Sequence, residues 1–305
     1  MNAPHKPVLY KEIIHALQPK SPGRYVDGTL GAGGHARGIL EACAPDGSLL
    51  GLDVDAQALA LARENLAPYG QRAHLAQASY DSLLDAMREL GWDAVDGIVL
   101  DLGLSSMQLN TPERGFSFTH DAPLDMRFNR DSELTAAQLV NTLPEADLAD
   151  LLFKYGEEPR ARRIVRNIIK ARPLTTTAQL AEIVKQAYPE HSRVHPATRT
   201  FQALRIAVND ELATVENALP KTASALRQGG RLAVISFHSL EDRIVKDFFR
   251  SESKDLVNPP YEQIYKVERR AMLKEINRKP IRPDQEEIKG NPRARSAKLR
   301  VVEKL

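Results

Sequence analysis

The chain has 305 residues, of which 42% are hydrophobic and 27% are charged, and its formal net charge is +2. This composition is ordinary for a soluble globular protein, and the length allows two domains. A single cysteine, Cys43, excludes an internal disulfide and a cysteine-based zinc cluster, and no apolar run reaches the roughly 20 residues that span a bilayer. The first predicted helix, at residues 9–17, follows no apolar signal segment, so we expect a cytoplasmic protein with no membrane partner.

The first hundred residues alternate between strand and helix patterns. Strands are predicted at residues 25–27, 48–53, 73–78 and 97–101, and helices between them at 34–43, 56–66 and 80–90. Repeated β-α units of this length are typical of an α/β fold, in which helices cover both faces of a parallel, Rossmann-like sheet. Ligands of such sheets bind at the carboxyl ends of the strands.

A glycine-rich turn joins the first predicted strand to the helix after it. Asp27 ends the strand, glycines follow at positions 28, 31, 33 and 34, and a second acid, Asp53, comes about 20 residues after Gly33. The glycines let the backbone approach a cofactor closely, and Asp53 can accept both hydroxyls of a ribose. The alternative is a tight turn in an α/β domain without a ligand.

The spacing of these glycines bears on which cofactor binds. A dinucleotide site needs a different glycine spacing and holds a pyrophosphate, which Asp27 would repel. A carboxylate at that point can instead lie beside a cation, and S-adenosylmethionine carries a sulfonium, an ammonium and a ribose. We therefore predict S-adenosyl-L-methionine, with NAD as the weakest alternative.

Further polar residues end neighbouring strands and are expected in the same crevice. Tyr80 follows the third strand and Asp101 ends the fourth, where its carboxylate could hold an amine or simply cap a helix. His238 follows the fifth strand and could act as a base, or could be a rim residue beside a helix that Ser239 caps. Phe237 could stack on a nucleobase.

The alternation of strands and helices stops after residue 101. Only helices are predicted up to residue 194, at residues 136–139, 145–154, 161–171 and 177–187, and the strand pattern returns at 229–237. The sequence therefore predicts an all-helical domain at residues 109–205, inserted into a cofactor-binding domain formed by residues 1–108 and 206–305. Within the insertion, Asp125 and Arg127 could clamp a substrate or tie the two domains together.

The last part of the chain predicts one more strand. Residues 277–292 have the composition of a loop, and an alternating pattern follows at 296–303. We expect this strand to pair with residues 264–270.

The small net charge conceals an uneven distribution. Residues 1–150 hold 11 Lys/Arg and 21 Asp/Glu, whereas residues 151–240 hold 14 and 7. A basic half of this kind predicts a polyanionic partner, although a solvated charged surface would give the same pattern. The candidate RNA-binding residues are Arg162, Arg163 and Arg166 on one predicted helix, Arg199 and Arg205 on another, and Arg293 and Arg295 before the last strand.

Several motifs together resemble one family. The segments DGTLGAGGH, DLGLSS, RGFSF, PLDMR, YGEE, HPATRTFQALRI, GGRLAVISFHSLEDRIVK and NPRARSAKLR occur in this order along nearly the whole chain. They resemble the bacterial small-subunit ribosomal RNA cytosine-N4 methyltransferases of the MraW type. The resemblance implies a class I S-adenosylmethionine-dependent methyltransferase fold and methylation of the exocyclic amine of a decoding-region cytosine in 16S rRNA, within the 30S subunit.

The resemblance also implies which residues contact the cofactor. They are Gly33, Gly34, His35, Asp53, Tyr80, Asp101 and Gln108. No metal is indicated by the sequence, and it leaves the oligomeric state open.

We expect direct transfer of the methyl group to the amine, with no covalent enzyme intermediate. The candidate proton acceptors are Asp101 first, then His238 and Asp125, and Phe237 or Phe118 could stack on the unstacked base. Two further hypotheses remain: a methyltransferase that acts on an amine of DNA or protein, and a ribosome-assembly factor without catalytic activity.

Overall fold

The computed structural model describes residues 7–188, 195–257 and 267–305. The chain forms two compact units. The sheet unit comprises Met1–Gly103 and Leu212–Leu305, and the helical unit comprises Leu104–Glu211. The boundaries therefore follow residues 103 and 211, whereas the sequence predicted them after residues 108 and 205.

The sheet unit is built on seven hydrogen-bonded strands in the order β3-β2-β1-β4-β5-β9-β8. The strands from β1 to β5 are parallel, and β9 runs antiparallel to both β5 and β8. Nine strands lie in the described residues, and two of them, β6 and β7, pair in a separate two-stranded sheet. The nine are β1 (Arg24–Asp27), β2 (Ser48–Asp53), β3 (Ala73–Gln77), β4 (Val95–Asp101), β5 (Leu226–Ser236), β6 (Leu256–Val257), β7 (Val267–Arg269), β8 (Leu273–Glu275) and β9 (Lys298–Lys304). The predicted α/β class with a parallel sheet is confirmed.

Helices account for most of the remaining regular structure. They are α1 (Tyr10–Leu17), α2 (Gly34–Ala42), α3 (Ala56–Leu66), α4 (Leu83–Glu89), α5 (Ser106–Asn110), α6 (Ala136–Thr142), α7 (Glu145–Gly156), α8 (Ala161–Ala171), α9 (Thr177–Lys185), α10 (Ala197–Asn209), α11 (Glu211–Ala225), α12 (Ser239–Glu252) and α13 (Gln285–Gly290). Across the described residues, none of these helices is both long and apolar enough to cross a membrane.

Two apolar layers cover the two faces of the sheet. Successive side chains of a strand point to opposite faces, so Tyr25 and Val26 of β1 belong to different layers. Tyr25 packs in the layer that α1, α2 and α3 complete, and Val26 packs in the layer that α4, α11 and α12 complete. This two-sided burial leaves the carboxyl ends of the strands as the place where polar side chains gather.

The helical unit has a core of its own, to which α6, α7, α8, α9 and α10 contribute. Three of its helices begin with a capping box. In each, the hydroxyl of the cap residue accepts the backbone N–H of a glutamine three residues later, and the glutamine side chain accepts the backbone N–H of the cap residue. The pairs are Ser105–Gln108, Thr135–Gln138 and Thr176–Gln179. In its described residues the unit has no strand beyond an isolated bridge between Pro123 and Thr176.

The predicted pairing of the last strand is wrong. β9 pairs with β5 and β8, and Val267–Arg269 pairs instead with Leu256–Val257. Residues 264–266 lie outside the described residues. The predicted loop at residues 277–292 contains α13, whose first turn is capped by Asp284. A short alternating pattern specifies a strand but not its partner, which is why only the paired structure could decide the sheet order.

The helical unit's core gives a direct stability test. Ile168 of α8 is fully buried, whereas Arg163 on the same helix is exposed. Ile168→Ala should lower the free energy of unfolding by about 2–5 kcal/mol, because it removes buried methyl groups and leaves a cavity. Arg163→Ala should change it by no more than about 0.5 kcal/mol. Urea unfolding followed by circular dichroism measures both, and equal effects would contradict this packing.

Candidate cofactor and active site

The glycine turn between β1 and α2 depends on backbone conformations that other residues rarely adopt. Gly31 and Gly33 have φ angles of 53° and 84°, and Gly33 caps α2 in the left-handed region. At Gly34 the constraint is space, because a Cβ there would lie 2.4 Å from the Pro7 side chain. The turn therefore brings bare backbone to the start of α2, where N–H groups and the helix dipole are available.

Asp53, at the end of β2, holds this turn in place. One carboxylate oxygen accepts the Gly31 N–H at 2.8 Å, and the other accepts the Asp55 N–H at 2.9 Å. Burial raises the pKa of Asp53, while the bonds from these amides oppose that shift. A carboxylate has about four acceptor positions, so acceptor capacity remains beyond these amide bonds.

A buried acidic cluster, formed by Asp27, His35 and Asp101, lies beside the turn. His35 Nε2 is 3.5 Å from Asp101 Oδ2, and Asp27 Oδ1 accepts the Thr29 N–H at 3.1 Å. Only 1% of Asp27 and 5% of His35 is exposed, whereas the Asp101 side chain is 25% exposed. Asp101 is therefore the member of the cluster that is open to a ligand.

Burial and neighbouring charges shift the pKa values of Asp27 and His35. Burial raises the pKa of Asp27 to about 6, in spite of the neighbouring His35 and the Thr29 amide, which lower it. Burial alone lowers the pKa of His35, but nearby carboxylates, Asp101 above all, raise it, and the net direction is upward. The cluster thus favours an added positive charge.

Backbone contacts interlock the ends of the neighbouring strands. The Asp101 N–H donates to Thr29 Oγ1 at 2.6 Å, and Gly28 lies so close to Tyr80 that a Cβ there would be 2.8 Å from the Tyr80 Cβ. The structure brings together six of the predicted cofactor residues at the carboxyl edge of the sheet: Gly33, Gly34, His35, Asp53, Tyr80 and Asp101. Gln108 belongs to the helical unit, where its side chain accepts the Ser105 N–H at 3.1 Å.

His238 caps helix α12, so the predicted cap at Ser239 is wrong. His238 Nδ1 accepts the Glu241 N–H at 3.4 Å, and Glu241 Oε2 accepts the N–H groups of Phe237 and His238. The imidazole Nε2 lies 3.1 Å from Glu241 Oε1. Glu241 was missed from the sequence, although its spacing of three residues from the cap is the capping-box signal.

Asp125, in the helical unit, already has a close partner. Its two oxygens accept bonds from Arg127 Nε at 2.8 Å and Nη2 at 2.7 Å. Burial raises the pKa of Asp125, but Arg127 lowers it more, and the net direction is downward. A carboxylate held in this way is a weak base.

The predicted RNA-binding arginines differ in exposure. Arg162, Arg163 and Arg166 lie on the exposed side of α8, opposite its buried isoleucines, and Arg199 of α10 is exposed. Arg205 forms a two-bond ion pair with Glu211, at 2.7 and 2.9 Å.

The other two predicted RNA-binding arginines belong to the sheet unit. Arg295 is exposed, whereas Arg293 is partly buried, and burial lowers its pKa.

One positioning residue was not predicted. Glu287 of α13 accepts the Leu9 N–H at 2.7 Å, and Leu9 has a left-handed φ of 53°. Because Pro7 lies against Gly34, this bond fixes the start of the described chain beside the glycine turn. The capping pattern from Asp284 to Glu287 marks the helix, but nothing local links it to Leu9.

Comparison with known proteins shows the family to which this chain belongs. The model of the MraW methylase family matches residues 2–305. The chain belongs to the MraW methylase family. It is 52% identical over 307 residues to "Ribosomal RNA small subunit methyltransferase H" of Geotalea uraniireducens, covering 99% of this chain and 98% of the relative.

More distant relatives are similar over the whole chain. The protein of the same name from Heliobacterium mobile is 48% identical over 308 residues, covering 99% of each chain. Among solved structures, a methyltransferase from Streptococcus mutans in complex with SAH matches 99% of this chain and 100% of its own, with a TM-score of 0.46 and 12% identity.

The cofactor of this methylase is S-adenosyl-L-methionine, and the buried acidic cluster fits it. Within the described residues, Asp27 Oδ2, Asp101 Oδ1 and both ring nitrogens of His35 are buried without a hydrogen-bond partner. Unpaired buried carboxylate oxygens are costly unless a cation or donor reaches them. A sulfonium or ammonium group satisfies that need, whereas a pyrophosphate would not.

The pKa of Asp27 predicts a pH dependence of cofactor binding. A bound cation favours the ionised carboxylate, so binding releases a proton wherever Asp27 is protonated in the free protein. The dissociation constant for S-adenosylmethionine should therefore fall, by up to about tenfold per pH unit, as pH rises from 5 towards 6, and should level off above that range.

Isothermal titration calorimetry in two buffers of different ionisation enthalpy measures this proton release. In Asp27→Asn the proton release that comes from Asp27 should vanish, and only the release from His35 should remain. S-adenosylhomocysteine, which lacks the sulfonium charge, should show a weaker pH dependence in the wild type. Identical pH profiles for the wild type and Asp27→Asn would contradict the assignment.

Proposed function

We propose that this protein transfers a methyl group from S-adenosyl-L-methionine to the exocyclic N4 amine of a decoding-region cytosine in 16S rRNA, within the 30S subunit. Membership of the methylase family and the names of relatives near 50% identity support ribosomal RNA of the small subunit as the substrate. The ordered motifs of the chain support the cytosine amine. A ribosomal substrate is consistent with a cytoplasmic location.

The observation that carries this proposal is the position of Asp101, whose side chain is 25% exposed beside the buried Asp27 and His35. Its backbone N–H is fixed by Thr29, and its carboxylate faces His35 at 3.5 Å. Asp53 is suited to the ribose, Tyr80 to the adenine ring, and the bare glycine turn at Gly33 and Gly34 to the amino-acid end of the cofactor.

The cofactor supplies an electrophilic methyl carbon. The N4 amine of cytosine is a weak nucleophile because its lone pair is conjugated with the ring. The protein must therefore align the amine and accept a proton from it as the N–C bond forms and the bond from the methyl carbon to sulfur breaks, which leaves S-adenosylhomocysteine. Asp101 is suited to orient the amine and to take that proton, because its carboxylate is partly exposed at the end of β4. His35 Nε2 lies 3.5 Å from the Asp101 carboxylate, so the imidazole can orient it.

The other two candidate acceptors are less suited. His238 uses Nδ1 to accept a backbone N–H, so its neutral ring carries the proton on Nε2 and has no free acceptor. Asp125 is neutralised by Arg127. We instead assign His238 and Phe237 to the side of the pocket that orients the base. Gly103 lies close to the Phe237 ring.

Basic residues of both units suit the RNA backbone. Arg162, Arg163, Arg166 and Arg199 are exposed and can reach phosphates, as can Arg295. We also keep Arg205 and Arg293 as candidate RNA-binding residues. Because Glu211 binds the guanidinium of Arg205, we assign Arg205 an indirect role, in which it positions neighbouring residues.

The decisive experiment identifies the methylated product. The protein and labelled S-adenosylmethionine are incubated with unmethylated 30S subunits, naked 16S rRNA or duplex DNA, and the nucleosides are analysed by mass spectrometry. We expect N4-methylcytidine in the 30S sample. Methylation of DNA only, a methyl group on a ring carbon, or cofactor binding without any product would each overturn the proposal in favour of a different activity.

Asp101→Asn tests the proton acceptor. At saturating cofactor its single-turnover rate should fall by roughly 100- to 10,000-fold, because an amide cannot accept the proton. Asp93→Asn, an exposed acid of the same unit, is the matched control and should keep the wild-type rate. An undiminished rate in Asp101→Asn would exclude the role.

A further inference from the structure

An aromatic stack in the helical unit ends at an exposed imidazole. The rings of Phe118 and His195 are stacked, with centroids 4.3 Å apart and planes 18° apart. Phe118 also packs edge-on against Phe201 of α10, at 5.1 Å and 80°. Phe201 is only 4% exposed and belongs to the core, so the stack is anchored at its inner end while His195 lies at the surface.

A backbone contact fixes the orientation of the His195 ring. Its Nδ1 accepts the Ala197 N–H at 3.2 Å, just where α10 begins. The neutral imidazole must then carry its proton on Nε2. His195 therefore offers an oriented N–H donor together with an aromatic ring whose position is fixed by Phe118.

An exposed cationic side chain follows this ring along the chain. Arg199 lies one turn further on, in α10. The stretch of sequence that contains the ring, residues 151–240, holds 14 basic and 7 acidic residues. An exposed, oriented aromatic ring beside a cationic side chain is a feature by which proteins hold unpaired bases of a single-stranded nucleic acid.

We propose that His195 is a stacking platform for an unpaired nucleobase of the RNA substrate, with Nε2–H donating to an oxygen of that nucleotide. This inference rests on the proposed function, since it names a contact of the same substrate. It assigns to His195 a role in RNA binding beyond its local role at the start of α10.

Two substitutions separate these roles of His195. His195→Asn keeps a short polar acceptor for the Ala197 N–H but removes the ring. His195→Phe keeps a ring that can stack on Phe118 and on a base but removes the acceptor. His120→Asn is the matched control, because His120 is an exposed histidine of the same unit.

The first measurement is methylation of 30S subunits at saturating S-adenosylmethionine. His195→Asn should raise the KM for the subunits by about fivefold or more, the loss expected for one stacked base, with a smaller effect on kcat. His195→Phe should remain within about threefold of the wild type, and His120→Asn should match it. The affinity for S-adenosylmethionine and the melting temperature report whether the folded cofactor site survives in each variant.

The second measurement detects the stack without catalysis. The chain has one tryptophan, the buried Trp92, so His195→Trp adds an exposed fluorophore at the platform. A short single-stranded oligoribonucleotide should quench its emission, whereas the wild-type emission should not change.

The outcomes distinguish this inference from the proposed function. If the wild type makes no N4-methylcytidine, the proposed function fails, and the fluorescence arm still tests the platform. With an active wild type, the platform is overturned if His195→Asn has the wild-type KM or if His195→Phe is as impaired as His195→Asn. It is also overturned if the oligoribonucleotide leaves the His195→Trp emission unchanged.

Discussion

Two carboxylates and an imidazole lie together where β1 and β4 end, and the site depends on the cost of burying Asp27 and His35 beside the partly exposed Asp101. Burial raises the pKa of Asp27 to about 6, and neither His35 nitrogen has a hydrogen-bond partner among the described residues. Such groups are tolerated inside a protein when a ligand completes their interactions. The missing hydrogen-bond partners make the cluster unfavourable without a ligand, and for the same reason they make it selective for a cationic cofactor.

The surrounding structure keeps this cluster in place. Asp53 bonds the glycine turn, Thr29 bonds the Asp101 backbone, and Glu287 bonds Leu9 across almost the full length of the chain. Each contact uses a side chain to satisfy a backbone N–H at the end of a strand or turn, where the sheet itself offers no partner. The crevice is thus preorganised by bonds that do not involve the ligand, which limits the reorganisation that binding and transfer require.

The two units carry different chemistry. The sheet unit supplies acidic groups and bare backbone, which suit a small cationic cofactor, whereas the helical unit exposes arginines and an oriented aromatic ring, which suit RNA. The helical unit has its own core, and three of its helices start with the same capping pair. A separately stabilised insertion can present a substrate surface without disturbing the strand ends on which the cofactor residues lie.

The sequence by itself determined the features that are set by neighbours along the chain. Periodicity indicated the parallel sheet, the glycine turn and the helices of the insertion, and α3, β2 and α8 have the predicted bounds. The glycine spacing and the acids at strand ends indicated a cationic cofactor, because the residues concerned act through their own local backbone. Ordered motifs then indicated the family, which the full-length match confirmed.

Only the tertiary structure decided what meets across long separations. No local signature marks the place of β9 between β5 and β8, the bond from Leu9 to Glu287 or the stack of Phe118 on His195. Local propensity fixes the type of an element, whereas its partners depend on burial and hydrogen bonding summed over the folded chain. The protonation of Asp27 was decided at the same level, since it follows from burial that no single segment specifies.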